Sequence, residues 1–473
     1  MLIRRSLCAA AVLLAVSAAP AAAAFTPGAD GVGDPFYPQG GNGGYDVKTY
    51  SIKLGYEPQN EQLDGDVTIT ARATQDLSSF NLDLRDLKVE GVTVNGAAAS
   101  FTRKGQELTI TPAAGLRRGR DFTTRVIYGG HVNYVNDPDH SKDGWIPTDD
   151  GAYVVNEPQG APTWFPANDT PKDFALFDFA ITVPEGRTAL ANGRLVSTTD
   201  NGDTTTWRWK ESSPMVPYLT TATNGFFELR TGTVNGLPEY NAVDPQTRPF
   251  GQKNPNPDLA WRRLAATQGP ALRLFSELYG PYPYDSVGAI VDYAPNVFYS
   301  LESQTKPNYW VVPSVGTIVH ELAHMWFGDA LVLERWPDMW LNEGFATWSE
   351  WIWFERNGGP TAQQQFDALY ATPEDSDAGQ DLWFPAPNGL SGPEELFHTP
   401  VYDRGAMTLQ ALRQKFGDAT FFQIVRSWYA ENKFSNVTTQ DFIALAERVT
   451  GQQLDDFFQV WLFDEGRPEE GSW

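Results

Sequence analysis

The chain has 473 residues, a formal net charge of −24 and a single cysteine, Cys8. So acidic a molecule repels a phosphate backbone, which argues against nucleic acid as a partner, and the charge serves solubility instead. Disulfides are excluded, because one cysteine has no partner; the 13% aromatic content supplies large side chains for cores instead.

The first segment, Met1–Ala24, has two arginines, Arg4 and Arg5, an apolar stretch from Leu7 to Ala19 and an alanine run ending before Phe25. This pattern predicts a secretory signal peptide cleaved near Ala24, and hence a secreted protein. The apolar run is short for a membrane span and is broken by Pro20. Cys8 precedes most of it, which argues against a lipid anchor. No other stretch suggests a span. Residues 25–44, rich in Gly and Pro, predict a lead-in that is flexible or orders on contact.

From Tyr45 to residue 234 the pattern has period two. Val67, Ile69 and Ala71 alternate with Thr68, Thr70 and Arg72, and Leu108 and Ile110 with Thr109 and Thr111. Asn-Gly turns at 95–96, 192–193 and 201–202 separate such runs, so an antiparallel β domain of many short strands is predicted for 45–234.

The character changes after about Asn235, and residues 235–473 predict a mainly helical second domain. A helix is expected over Asp258–Leu278 and a buried strand over Val287–Tyr293. A second helix should begin near Pro313-Ser314, where Val315, Ile318, Val319, Leu322 and Trp326 recur at helical spacing. Further helices are expected around 340–356, 404–416, 418–431 and 438–448. The fold class is thus multidomain, β followed by α+β. With no heptads and no sticky stripe, a monomer is the default expectation.

His320-Glu321-Leu322-Ala323-His324 falls inside the second helix. Residues four apart lie one turn above each other, so both imidazoles face one side and suit a zinc ion. Glu321, beside the first imidazole, is placed to take a proton from an activated water. Glu343, separated from His324 by eighteen residues and opening another apolar helix, is the expected third ligand. Glu350 lies two turns later on the same helix face, where it is either a hydrogen-bond partner of a ligand histidine or a solvated residue. His131, His140 and His398 have no ligand spacing. One Zn2+ per chain is therefore expected.

The segment His320 to Asp329, together with Trp336, Asp338 to Leu341 and Asn342-Glu343-Gly344-Phe345-Ala346, resembles the metal signature of the aminopeptidase N-like zinc peptidases, peptidase family M1. Glu157-Pro158 through Phe165-Pro166 and Asn168-Asp169 resembles that family's β domain, and Gly280-Pro281-Tyr282-Pro283-Tyr284 the lead into its catalytic domain. The resemblance implies an N-terminal β-sandwich or saddle domain followed by a thermolysin-like catalytic domain. It also implies peptide substrates, with Glu302 and Glu157 binding the free α-amine and Tyr402 stabilising the oxyanion. Tyr299, Leu301 and Ser303 depart from the family's Gly-x-Met-Glu-Asn around Glu302, and Tyr for Gly should reshape the first subsite. The sequence ends at Trp473, short of the family's large C-terminal helical domain, which implies a more open cleft.

A secreted zinc aminopeptidase is the function so implied. A zinc endopeptidase or other zinc hydrolase with relaxed exopeptidase specificity is the alternative, drawn from the altered residues around Glu302. A non-enzymatic binding module with a vestigial metal fold is the third reading, set against a complete set of ligands and base.

Overall fold

The computed structural model describes residues 24–471, so the expected signal peptide, apart from Ala24, and Cys8 lie outside the described residues. The period-two segments form strands with one buried face. In Gln62–Ala73, Leu63, Val67, Ile69, Ala71 and Ala73 are buried, while Asp64, Thr68, Thr70 and Arg72 are partly or fully exposed. This strand sits inside an eight-stranded sheet, between Tyr45–Glu57 and Asp121–His131.

The sheet departs from a purely antiparallel arrangement at one place: Ala175–Pro184 runs parallel to Tyr45–Glu57. Parallel neighbours require a long crossover, and residues 58–174 supply it. Part of that crossover builds a second, five-stranded sheet containing Lys142–Pro147 and Ala152–Val155. The strand Ala152–Val155 runs directly into Asn156-Glu157, which delivers Glu157 from the end of the sheet.

Of the two forms expected for residues 25–44, the ordered one is found, and the flexible one is corrected. Thr26–Pro27 pairs with Leu77 and Ser79, and an oxygen of buried Asp34 accepts from the Trp336 amide at 3.0 Å. Backbone groups that would otherwise need water find partners in both halves of the molecule.

The boundary expected at 234/235 also moves. Asn235 and Gly236, at φ 51° and 84°, turn a hairpin between Glu228–Val234 and Leu237–Val243. The hairpin continues into Val287–Val291 and Asn308–Tyr309 as parallel neighbours, so its strands belong to the sheet of the second unit. The composition change at Asn235 therefore marks a turn, and sheet membership puts the second unit's start before Glu228.

The second unit is mainly helical: α1 (Pro257–Leu278), α2 (Val315–Ala323), α3 (Trp340–Arg356), α4 (Ala362–Tyr370), α5 (Asp377–Trp383), α6 (Thr399–Asn432) and α7 (Thr439–Thr450). Ser314 caps α2 by accepting from the Thr317 amide at 2.9 Å. The stretches expected at 404–416 and 418–431 both lie in α6, which breaks at Gly417 (φ 74°, ψ 165°). One expectation shifts by a residue. His324 is not inside α2 but caps its C-terminus, because the chain turns there and the Asp329 amide donates to the His324 carbonyl. Its backbone (φ −56°, ψ −26°) is still helical, so the one-turn relation to His320 survives.

Most buried apolar residues of both units join a cluster that includes Tyr218 and Trp336, whose rings meet edge to face at 5.4 Å, and a smaller cluster gathers Ile146, Tyr153, Val155, Ala294, Val297 and Leu301. Among the described residues no helix is long and apolar enough to cross a membrane.

Candidate metal centre and substrate cleft

Helices α2 and α3 bring His320, His324 and Glu343 to one point. Their donor atoms lie within 4.8 Å of one another. Glu343 Oε2 stands 3.0 Å from His320 Nε2 and 3.5 Å from His324 Nε2. A tetrahedral zinc with bonds of about 2.0–2.1 Å spaces its ligands roughly 3.3 Å apart, so these separations fit the ion.

The other ring nitrogens strengthen the fit. His320 Nδ1 is 2.9 Å from Glu350 Oε1, and His324 Nδ1 is 3.0 Å from the Phe327 carbonyl oxygen. Both partners accept, so each Nδ1 carries its proton and each Nε2 is left to donate a lone pair to a metal. Of the two roles open to Glu350, the geometry realises the hydrogen-bonding one. Gly316 makes room for it: a Cβ there would lie 2.6 Å from Glu350 Oε2.

Electrostatics bind the cluster further. Burial alone would raise Glu343, but the charges of His324 and His320 pull it down to about 2. Burial lowers both imidazoles, yet the neighbouring carboxylates outweigh it: His320 rises well above its usual value and His324 to about 9. Donors that hold protons between them in this way release them to hold a dication.

Tyr402, in the first turn of α6, lies over the same site, its ring 6.1 Å from that of His320 and within 25° of parallel. It arrives there because α3 and α6 cross at two glycines. A Cβ on Gly344 would lie 2.9 Å from the Cα of Gly405, so the close approach needs both residues bare. Glu343 and Tyr402 flank this crossing. Burial, and then the charge of Glu343, raises the Tyr402 hydroxyl well above its usual range, which keeps its proton on as a donor.

Three carboxylates complete the floor. Glu321 is buried beside His320 and is raised to about 8, chiefly by burial and against the pull of both histidines. Glu302 and Glu157, 2% and 5% exposed, each have an Oε1 without a hydrogen-bond partner. Burial and mutual repulsion raise Glu157 well above the usual carboxylate range; burial likewise raises Glu302, against a pull from His324. Buried, orphaned and anionic by nature, this pair is suited to a cation. All seven residues predicted from the sequence line one cavity of about 260 Å3. His131 is instead exposed against Glu61, and His398 precedes α6.

The likeness to known proteins covers both units. Residues 47–219 match the peptidase M1 N-terminal domain, and residues 296–461 match the peptidase family M1 domain. A crystal structure of an M1 zinc metallopeptidase from Deinococcus radiodurans superposes with a TM-score of 0.82 at 30% identity, covering 93% of this chain and 98% of that one. The chain belongs to peptidase family M1. Among curated relatives of this M1 chain, Aminopeptidase N of Streptomyces lividans is 26% identical over 82% of this chain and 47% of its own length. Aminopeptidase M1-D of Oryza sativa subsp. japonica is 27% identical over 65% of this chain and 36% of its own. The M1 chain thus spans a third to a half of the curated relatives it matches, while it matches a two-domain M1 zinc metallopeptidase over nearly its full length. Membership of this family implies a zinc cofactor, and His320, His324 and Glu343 form a group that could hold it.

Further residues enter the cleft of this M1 chain without a signal that sequence reasoning used. Asp139, Ser141, Ser300 and Phe397 line it. Tyr299, the departure from the family glycine, forms a wall: its hydroxyl donates to the Lys142 carbonyl at 2.8 Å.

Proposed function

We propose that this M1 chain is an exported zinc aminopeptidase that releases N-terminal residues from peptides. The observation that carries the reading is the pair of buried, partnerless carboxylate oxygens of Glu302 and Glu157 beside the zinc donors. An α-ammonium supplies the hydrogen-bond donors and the charge that these oxygens lack. The cavity of about 260 Å3 falls below the roughly 300–1,000 Å3 of drug-sized ligand sites, which suits one terminal residue. Export is supported by the basic, apolar and small-residue runs of Met1–Ala24.

His320, His324 and Glu343 would hold the zinc, which when bound would supply Lewis acidity, lowering the pKa of water towards neutrality and polarising a carbonyl. Glu321 takes the proton of the attacking water and returns it to the leaving amine. Its carboxylate lies within 4.8 Å of donor atoms on Glu302 and His324, so base and amine anchor share one small space. The Tyr402 hydroxyl, which burial and nearby carboxylates keep protonated, donates to the oxyanion as it forms. Glu302 and Glu157 hold the ammonium, and so fix the scissile bond one residue from the terminus.

The test compares free aminoacyl and N-acetylated substrates, with and without a chelator. Turnover of the free form alone, abolished by chelation and restored by zinc, is expected. Equal cleavage of the acetylated form, or internal cuts in a blocked peptide, would point to an endopeptidase and defeat the reading.

A further inference from the structure

Besides the amine anchors and the zinc donors, the cavity has a further stretch of lining with its own chemistry. It is built by the loop joining Tyr134–Asn136 to Lys142–Pro147, together with Tyr299, Ser300 and Phe397. Tyr299 braces this loop through its hydrogen bond to the Lys142 carbonyl, which brings Asp139 and Ser141 to the cavity.

Asp139 is held in place by its own turn. Its Oδ1 accepts from the Ser141 amide at 3.0 Å and from the Ser141 hydroxyl at 2.7 Å. Its Oδ2 has no hydrogen-bond or ion-pair partner among the described residues. The nearest lysine in sequence, Lys142, points its ammonium at the Tyr134 ring, 4.7 Å from the centroid. Among the described residues no lysine or arginine lines the cavity, whereas Tyr299 and Phe397 do.

We propose that Asp139 sets the side-chain preference of the first subsite, favouring peptides that begin with lysine or arginine. The inference rests on the aminopeptidase reading and adds the class of substrate. A long aliphatic stem lies against aromatic walls while its charged head reaches the carboxylate. An acidic side chain placed against Asp139 would instead meet a like charge. The competing account, that Asp139 only stabilises its turn, makes a different prediction. In Asp139→Asn the remaining Oδ1 still accepts from Ser141, so the turn is kept and only the charge is lost.

The decisive pair of substrates is lysine 4-nitroanilide and norleucine 4-nitroanilide, whose side chains differ only in the terminal ammonium. The ratio of their kcat/KM values cancels any loss of activity common to both. Wild type should favour lysine by about fivefold, the upper range for a partly exposed ion pair, and the preference should shrink as salt is added. Asp139→Asn should bring the ratio close to one, and Asp139→Glu should retain the preference. A ratio that is the same in wild type and Asp139→Asn overturns the inference while leaving the aminopeptidase reading intact. Absence of turnover with every free aminoacyl substrate would overturn that reading and the inference with it.

Discussion

The two sides of the cleft are built in different ways. The zinc donors come from two adjoining helices of one unit, α2 and α3, and each imidazole is fixed by a partner close at hand, Glu350 or the Phe327 carbonyl. The amine-facing carboxylates come from loops of both units: Glu157 follows a strand of the β domain, and Glu302 lies between Val287–Val291 and Asn308–Tyr309. The Glu302 loop is stitched across the interface. Asn192 donates to the Gln304 carbonyl at 2.8 Å, the Gly193 amide to Thr305 Oγ1 at 2.7 Å, and the Lys306 ammonium to the Gly193 carbonyl. Thr305 there adopts φ 68°, a left-handed conformation costly for a β-branched residue, and the stitching sustains it. On the proposed reading, metal binding is a local property of a helix pair, whereas amine binding depends on how two units dock.

Breaking the helix pair should have the largest effect. Glu343→Gln removes the one anionic ligand and leaves the two imidazoles. Metal affinity should fall by more than the roughly 10–100-fold that outer hydrogen-bond partners contribute, and activity should fall with it. Zinc content after dialysis against a weak chelator measures this; full retention of one zinc per chain would refute the ligand assignment. A subtler change on the same side is Glu350→Gln, which keeps an acceptor for His320 Nδ1 and removes its charge. Affinity should drop about tenfold, at the lower end of that range, with the fold unchanged. An unaltered zinc dissociation constant would show that Glu350 is a bystander.

This contrast also explains what was legible beforehand. His320, His324 and Glu343 could be read because helical periodicity converts sequence spacing into a shared face, and α3 was expected over the span it occupies. Gly417 similarly separates the two helical stretches within α6. Glu302, Glu157 and Tyr402 had no such periodic signal and were marked only by family resemblance. The partner of His324 is a backbone carbonyl, which no side-chain pattern reveals. Asp139 reaches the cleft through a brace from Tyr299, a contact between residues far apart in the chain. The boundary at Asn235 was misplaced because an Asn-Gly hairpin looks the same inside a domain as at its edge. Helices α4 and α5 escaped notice because few apolar residues anchor them; α4 buries only Ala362 and Phe366.

The smallest effect is expected on the docked side, at Lys306. This residue is fully buried, with its ammonium 4.4 Å from the Trp209 ring centroid and 5.3 Å from that of Tyr240. Burial lowers it from 10.5 to about 7, against the raising pull of Glu211 and Asp285. The sign follows from proton counting. Below pH 7 the lysine is protonated in the folded and unfolded chains alike, and the cost of burying its charge is fully present. Between pH 7 and 10.5 the unfolded chain binds the proton that the folded chain has released, so stability from this site rises with pH. The full shift sets a ceiling of roughly 5 kcal/mol, and solvent relaxation should leave about 2. Lys306→Met keeps the aliphatic stem and removes the titrating group. Raising the pH from 7 to 9.5 should therefore shift Tm in favour of wild type relative to the variant, and a pH-independent difference would sink the assignment. The same variant loosens only one stitch of the Glu302 loop, so KM for free aminoacyl substrates should rise about threefold, near 0.7 kcal/mol, with kcat much less changed. Equal losses in both would place Lys306 in general folding stability. A KM-weighted effect would place it among the contacts that hold the amine anchor in position across the domain interface.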